Sequence, residues 1–382
     1  MQKESGFADG FGDFDGRIWI NCAHQGALPL VAAEEAREAI EWKIAPYKLT
    51  TERFSGVPRR LREALGRLVG ASSDDIILAN SASYSLHLLA NSVPLRSGDE
   101  VLLVEGDFPS NILPWLGLEQ KGIKITIVRP ERHVIRPEEL VANISKSTRV
   151  LCTSWAHSFS GHMTDIEKLG EICRQNRITF IVNCSQALGA RPINVSTLAV
   201  DAIVSVGWKW LCGPYGTGFS WVRPRLRESL TYNQSYWLSL QTADDLGKNT
   251  GLPEVKNDLG ARKYDLFATA NFFNFKPWTA SVEYLLGCGI ENIRDYDQQL
   301  VSRFLDGLDR SRYELISPDE GPQRSTLIFI SHKDRNRNGE IYQKLKQEGI
   351  DIAFRGGSMR FAPHLYNTGE HIDRALEVLA TV

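Results

Sequence analysis

Asp201-Ala-Ile-Val-Ser-Val-Gly-Trp-Lys-Trp-Leu-Cys-Gly-Pro-Tyr-Gly-Thr-Gly-Phe219 decides how this chain is read. Ala202–Val206 is a short, apolar, β-branched run bounded by turn residues, which predicts a fully buried strand. Lys209 follows one turn past its end, between Trp208 and Trp210 and ahead of a Gly-Pro-Tyr-Gly turn. That places its amine at the carboxyl edge of a sheet, where open α/β sheets bind ligands. An amine in partly apolar surroundings loses its proton more easily, and a neutral amine attacks a carbonyl. A surface lysine laying its stem over two tryptophans would satisfy the same local sequence. The rest of the chain has to decide.

Outward from this stretch, helix and strand alternate from about residue 60. Residues 101–104, 125–128, 150–153 and 179–182 read as further buried strands, and 57–69, 83–93 and 166–176 as helices. Apolar strands separated by helices predict an α/β fold with a mostly parallel sheet covered on both faces. Residues 219–222 read as one more strand, antiparallel after the turn at Pro214. Beyond about residue 280, helices over 280–287 and 293–308, a strand over 326–330 and a helix over 341–347 predict a smaller α+β domain. The expected division is an N-terminal arm over 1–18, a large domain over 19–280 and a small C-terminal domain over 281–382. Residues 6–16, rich in Gly, Asp and Phe, follow no strand and read as a mobile arm rather than a phosphate loop.

Composition narrows the function classes. At 382 residues the chain can bury a sizeable core, and 42% hydrophobic with 24% charged residues is ordinary for a globular protein. A net charge of −2 without a block of like charge gives nucleic-acid binding no electrostatic support. No apolar run approaches the ~18 residues that span a bilayer, and residues 1–10 hold no apolar signal segment. Six scattered cysteines, with no C-x-x-C pair and no metal-ligand spacing, predict reduced thiols in a cytoplasmic protein and no metal site. There is no internal repeat.

Two further stretches carry chemistry by residue type. In Ile76-Ile-Leu-Ala-Asn-Ser-Ala-Ser-Tyr-Ser-Leu-His-Leu-Leu-Ala-Asn91 a turn of small residues opens a helix. Free N–H groups and the positive dipole end make such a turn an anion site, although a plain helix cap has the same look. In Phe354-Arg-Gly-Gly-Ser-Met-Arg-Phe-Ala-Pro-His-Leu-Tyr-Asn-Thr368 an arginine offers the planar, two-pronged recognition of a carboxylate that lysine cannot.

Taken together, these stretches resemble the class V aminotransferase family, the fold-type I pyridoxal-phosphate (PLP) enzymes that include cysteine desulfurases, kynureninase and isopenicillin N epimerase. The resemblance runs in several motifs from about Trp19 to the C-terminus. It implies PLP as cofactor, with Lys209 forming the Schiff base and later acting as general base. It implies Ala82 and Ser83 as phosphate contacts, while Val206 and Trp208 stand where many members carry a phosphate-binding serine and histidine. In Glu105-Gly-Asp-Phe-Pro-Ser-Asn-Ile-Leu-Pro-Trp115, Phe108 takes the place of the residue stacked on the cofactor ring. In Ile181-Val-Asn-Cys-Ser-Gln-Ala-Leu-Gly189, Asn183 stands where the family has an acid bonded to the pyridine nitrogen, and Gln186 fits the partner of the phenolic oxygen. Ser158, in Trp155-Ala-His-Ser-Phe-Ser-Gly161, falls where an asparagine often touches that oxygen; His157 beside it reads as structural or substrate-facing.

The resemblance further implies Arg360 as the α-carboxylate clamp, supported by Arg355, with Asn21, His24 and Gln25 on the substrate side. Thr269, in Tyr264-Asp-Leu-Phe-Ala-Thr-Ala-Asn-Phe-Phe-Asn274, matches the threonine that reaches the neighbouring subunit's phosphate, which implies a homodimer with composite sites. The segment between Arg355 and Arg360 is short and holds no cysteine, where desulfurases carry their sulfur-accepting residue. The lead expectation is therefore β-elimination from a cysteine-like amino acid without a persulfide cysteine. Transamination, epimerisation and decarboxylation are alternatives, and a pseudoenzyme that keeps the fold is the rival from another class. A nucleotide-binding protein lacks support, since neither G-x-G-x-x-G nor G-x-x-x-x-G-K occurs.

Overall fold

The computed structural model describes residues 6–231 and 259–382. In chain order the strands are β1 (Ile18–Trp19), β2 (Ile76–Ala79), β3 (Glu100–Val104), β4 (Lys124–Val128), β5 (Thr148–Ser154), β6 (Thr179–Asn183), β7 (Ala202–Val206) and β8 (Gly218–Val222). They are followed by β9 (Tyr313–Leu315), β10 (Ile328–His332), β11 (Ile350–Asp351), β12 (Ala353–Arg355) and β13 (Ser358–Phe361). Seven strands form the main sheet in the order β2-β8-β7-β6-β5-β3-β4, parallel except for β8, which runs antiparallel to both neighbours.

The period-2 geometry of strands explains why these runs are apolar throughout. Leu102, Val104, Leu151, Phe180, Val182 and Ile203 enter one core, while Val101, Leu103, Val150, Cys152, Ile181 and Val204 enter another on the opposite face. Helices cover both faces, among them α1 (Leu30–Ile44), α2 (Thr51–Val69), α3 (Ala82–Ser92), α4 (Pro109–Leu116), α5 (Pro137–Asn143) and α6 (Ile166–Gln175). A four-stranded antiparallel sheet, β12-β13-β10-β9, has its own core with helices at Ile290–Gly307, Asn338–Gln347 and Gly369–Thr381. The main sheet thus matches the expected α/β architecture.

Three differences from the sequence reading have physical causes. Helix α2 begins at Thr51, capped by Thr50 Oγ1, and runs through Pro58, and the helix read over 280–287 begins at Phe272 and runs through Pro277. Proline marks a helix start in sequence, yet here packing carries both helices across it. Helix α1 lies where the sequence pattern predicts no element; Ile40 and Ile44 on it stay exposed, leaving no clean apolar face. Residues 6–16, read from the sequence as an arm, pack against the rest of the fold. Phe11 is buried edge-on against Tyr284 and Tyr366, Phe14 packs on Tyr366, and Tyr284 Oη donates to Phe7 O. The aromatic residues of the arm outweigh its glycines. Residues 1–5 lie outside the described residues. β1 pairs in parallel with β11, so the N-terminal segment ties to the C-terminal chain.

Candidate active site

The carboxyl ends of β3, β5, β6 and β7 lead into Phe108, Ser158, Asn183 and Lys209. Strand order turns back between β3 and β5, and a crevice at that point of an open sheet is where ligands bind. A cavity of about 260 Å³ lies there, lined by eleven of the expected residues: His24, Gln25, Ala82, Ser83, Phe108, Ser158, Asn183, Gln186, Lys209, Arg355 and Arg360.

Lys209 is held by the backbone around it. Gly207 N donates to Thr217 O at 2.9 Å, Gly213 N to Gly207 O at 2.8 Å and Cys212 N to Lys209 O at 2.9 Å. Cys212 sits at φ +50, and the left-handed turn it makes is sparsely populated for a residue with a side chain. From the N-terminal side Gly26 N donates to Trp208 O at 2.8 Å, and a Cβ on Gly26 would strike the Lys209 carbonyl. The amine lies 5.5 Å from the Phe108 ring centroid. Burial, with the charge of Arg360 behind it, lowers the Lys209 pKa to about 7.

At the small-residue turn, Ser81 caps α3 by accepting from Tyr84 N at 3.2 Å, and Ser83 Oγ lies 2.8 Å from Ser110 Oγ. A Cβ on Gly218 of β8 would come within 2.8 Å of the Ser81 backbone, so only glycine lets strand and turn approach this closely. Val206 and Trp208 line the same cavity as Ala82 and Ser83.

Arg360 is 3% exposed on β13. Its Nη2 donates to Asn21 Oδ1 at 3.4 Å, its Nε is buried without a partner, and no described carboxylate pairs with it. Burial, then the charge of Arg355, lowers its pKa to about 9. Arg355 is exposed and donates only to Phe354 O at 3.2 Å. Burial lowers the His24 pKa, as do Arg355, Arg360 and Lys209. Among the described residues the lining holds two guanidinium groups and one amine but no carboxylate. That asymmetry suits an anionic ligand.

Gln186 is fixed from both sides: its Oε1 accepts from Trp210 Nε1 at 3.1 Å and its Nε2 donates to Ala23 O at 3.2 Å. His157 has both ring nitrogens engaged, with Ser160 Oγ and Gly106 O each at 2.8 Å, and does not line the cavity. Asn21 stands behind Arg360 rather than in the lining. Thr269 is buried and lies off the cavity of its own chain. Its segment is anchored by the buried Arg62–Asp265 pair and by Asp265 Oδ1, which accepts from Leu78 N of β2 at 2.9 Å. Sequence reasoning missed Tyr215, Phe159 and Ser110 in the lining; Phe159 stacks on Phe108 with centroids 6.3 Å apart and was legible as the neighbour of Ser158. None of the six cysteines lines the cavity.

The family model described as aminotransferase class-V matches residues 48–372. A probable cysteine desulfurase of Methanothermobacter thermautotrophicus is 24% identical over 352 residues, covering 85% of this chain and 84% of that protein. Among solved structures, a cystine C–S lyase in complex with its product cysteine persulfide superimposes with a TM-score of 0.85 at 19% identity, over 96% of this chain and 99% of that one. A variant of the same lyase with glycine covalently linked to its PLP cofactor gives 0.87 at 18% identity, over 97% and 98%.

Proposed function

The chain belongs to the class V aminotransferase family of PLP-dependent enzymes, and from that premise we propose that it eliminates the Cβ substituent of a cysteine-like amino acid. The residues of the cavity fit the cofactor. Lys209 supplies an amine at about 7, the N-terminus of α3 supplies free N–H groups, and Phe108 supplies a ring face beside the amine. When bound, PLP supplies the electron sink that makes the substrate Cα–H acidic.

The protein's own residues do the rest. Lys209 would hold the cofactor, and its amine, freed when substrate binds, would be the base for the Cα proton. Arg360, with its Nε unpartnered, grips the α-carboxylate and thereby fixes which Cα bond faces the amine. Arg355, at the same cavity and free of any described carboxylate, supports it and suits a second acidic group on the substrate. Ala82 and Ser83 would hold the phosphate through the helix N-terminus, Ser158 and Gln186 would meet the phenolic oxygen, and Asn183 would meet the ring nitrogen, all of them lining the cavity. His24 completes the substrate side, and Asn21 holds Arg360 from behind.

The observation that carries elimination over persulfide transfer is the absence of a thiol from the cavity: all six cysteines lie off the lining, and burial raises the pKa of Cys22 and Cys184. A neutral Asn183 also favours a reaction that discharges electrons at once through a leaving group. The likeness in fold to a cystine C–S lyase supports the same reading. We place Thr269 at the phosphate of a partner subunit in a homodimer. Apolar side chains exposed near its segment, Phe267 and Phe273, and Phe54 beside Phe272, suit burial against a second copy.

The test is to incubate the PLP-loaded protein with cysteine, cystine and other amino acids, with and without a keto acid, following sulfide, pyruvate and ammonia. Elimination predicts pyruvate and ammonia in equal amounts with a sulfur product. Consumption of the keto acid in step with the amino acid, with no ammonia, assigns transamination instead.

A further inference from the structure

Beneath the cavity floor lies a buried chain of polar side chains that ends on a carboxylate. Asp107, 5% exposed, is the acceptor for Phe108 N and Ser154 Oγ, each at 2.6 Å, for Ser154 N at 2.8 Å, and for Asn111 Nδ2 at 2.9 Å. No cation pairs with it among the described residues. Asn111, 1% exposed, also donates to Ser154 Oγ at 2.8 Å and accepts from Asn183 Nδ2 at 2.8 Å. Asn183 Oδ1 accepts from Ser185 N at 3.0 Å.

The direction of this chain is fixed at both ends. A carboxylate that meets backbone N–H groups only accepts, so Asn111 turns its NH₂ to Asp107 and its oxygen to Asn183. The backbone N–H of Ser185 only donates, so Asn183 must turn its oxygen to it and its NH₂ to Asn111. Both amide dipoles therefore point the same way, with N–H towards Asp107 and C=O towards the cavity end. Hydrogen bonds chained in this sense polarise one another, and burial keeps water from screening the charge.

We propose that Asp107 is a positioning residue that acts through Asn111 to make the Asn183 oxygen a stronger acceptor and so to set the protonation of the cofactor's ring nitrogen. The inference rests on the reading above that Asn183 meets that nitrogen. A carboxylate at position 183 would hold the ring proton directly; an isolated amide would hold it weakly. The relay places this chain between those limits, because the charge is present but two side chains away.

The test uses the holoenzyme loaded with ring-¹⁵N-labelled PLP, whose resonance reports protonation of the ring nitrogen independently of turnover. Asn183→Asp calibrates the protonated limit. Asn111→Ala cuts the relay while leaving Asp107 its bonds to Phe108 N, Ser154 N and Ser154 Oγ, and Asp107→Asn removes the charge. Both should move the resonance towards the neutral-pyridine value, with the far-ultraviolet circular dichroism unchanged. Asn111→Ser, which keeps a small polar group, replaces the alanine variant if that one does not fold. A resonance equal to that of the parent in a folded, PLP-loaded Asn111 variant overturns the relay. If the label is not held at Lys209 in the unmodified protein, as shown by borohydride reduction and peptide mapping, it is the assignment of the site that fails.

Discussion

Titrating Lys209 in the apoprotein measures how far the cavity prepares its amine. Burial and the nearby Arg360 charge bring the pKa to about 7, from the 10.5 of an ordinary lysine. At pH 7.5 an ordinary lysine is neutral in roughly one molecule in a thousand, and an amine at about 7 in roughly three quarters. The reactive fraction of Lys209 is therefore several hundred times larger (about 700-fold). Trace labelling with acetic anhydride across pH 5 to 11, read peptide by peptide against the exposed Lys121, should give a Lys209 midpoint about 7. Arg360→Met should raise that midpoint, since it removes the second cause of the shift. The stability of the apoprotein follows with a definite sign. A depressed amine pKa disfavours folding most below about 7, and the penalty fades as pH rises towards 10.5. Lys209→Met should accordingly melt above the unmodified apoprotein at pH 6, with the gap narrowing by pH 9. A labelling midpoint above about 9.5, or a gap that widens with pH, would refute the account of the amine.

Arg360→Lys keeps the charge but loses one of two parallel charge-assisted bonds, each worth about 1.5–3 kcal/mol. Substrate affinity should fall roughly 10- to 100-fold, with the cofactor spectrum unchanged, as a spectral titration with amino acids would measure. Thr269→Val should weaken PLP retention on dilution by about tenfold if its hydroxyl bonds a phosphate across subunits; sedimentation with PLP quantitation reads both terms, and a fully loaded monomer would contradict the composite site. Asn183→Asp should increase the keto-acid side product of transamination relative to elimination, and an unmodified protein that transaminates efficiently and eliminates nothing would end that argument.

The fold was legible because its signal is local. A buried strand needs apolar residues on both faces, so 101–104, 150–153, 179–182 and 202–206 announce themselves as runs, and the turn after Lys209 needs its glycines where they stand. The edges were less legible at Pro58 and Pro277, where tertiary packing overrides a local stop signal. The aromatic residues of 6–16 likewise have no partners until Tyr284 and Tyr366, hundreds of positions away, are folded beside them.

By itself, then, the sequence determined the element order, the lysine at a strand's carboxyl end, and the residue types that face one another across the cavity, because each is written in spacing along a few turns of chain. Tertiary structure alone decided the energetics of those groups. The Lys209 amine is depressed by burial and then by a guanidinium on β13, and the Asn183 amide is oriented by Asp107, just past β3, through Asn111 on α4. His157 is locked by Gly106 and Ser160 away from the lining. Hydrogen bonding and desolvation depend on which atoms meet, and these atoms meet only when strands far apart in sequence lie side by side.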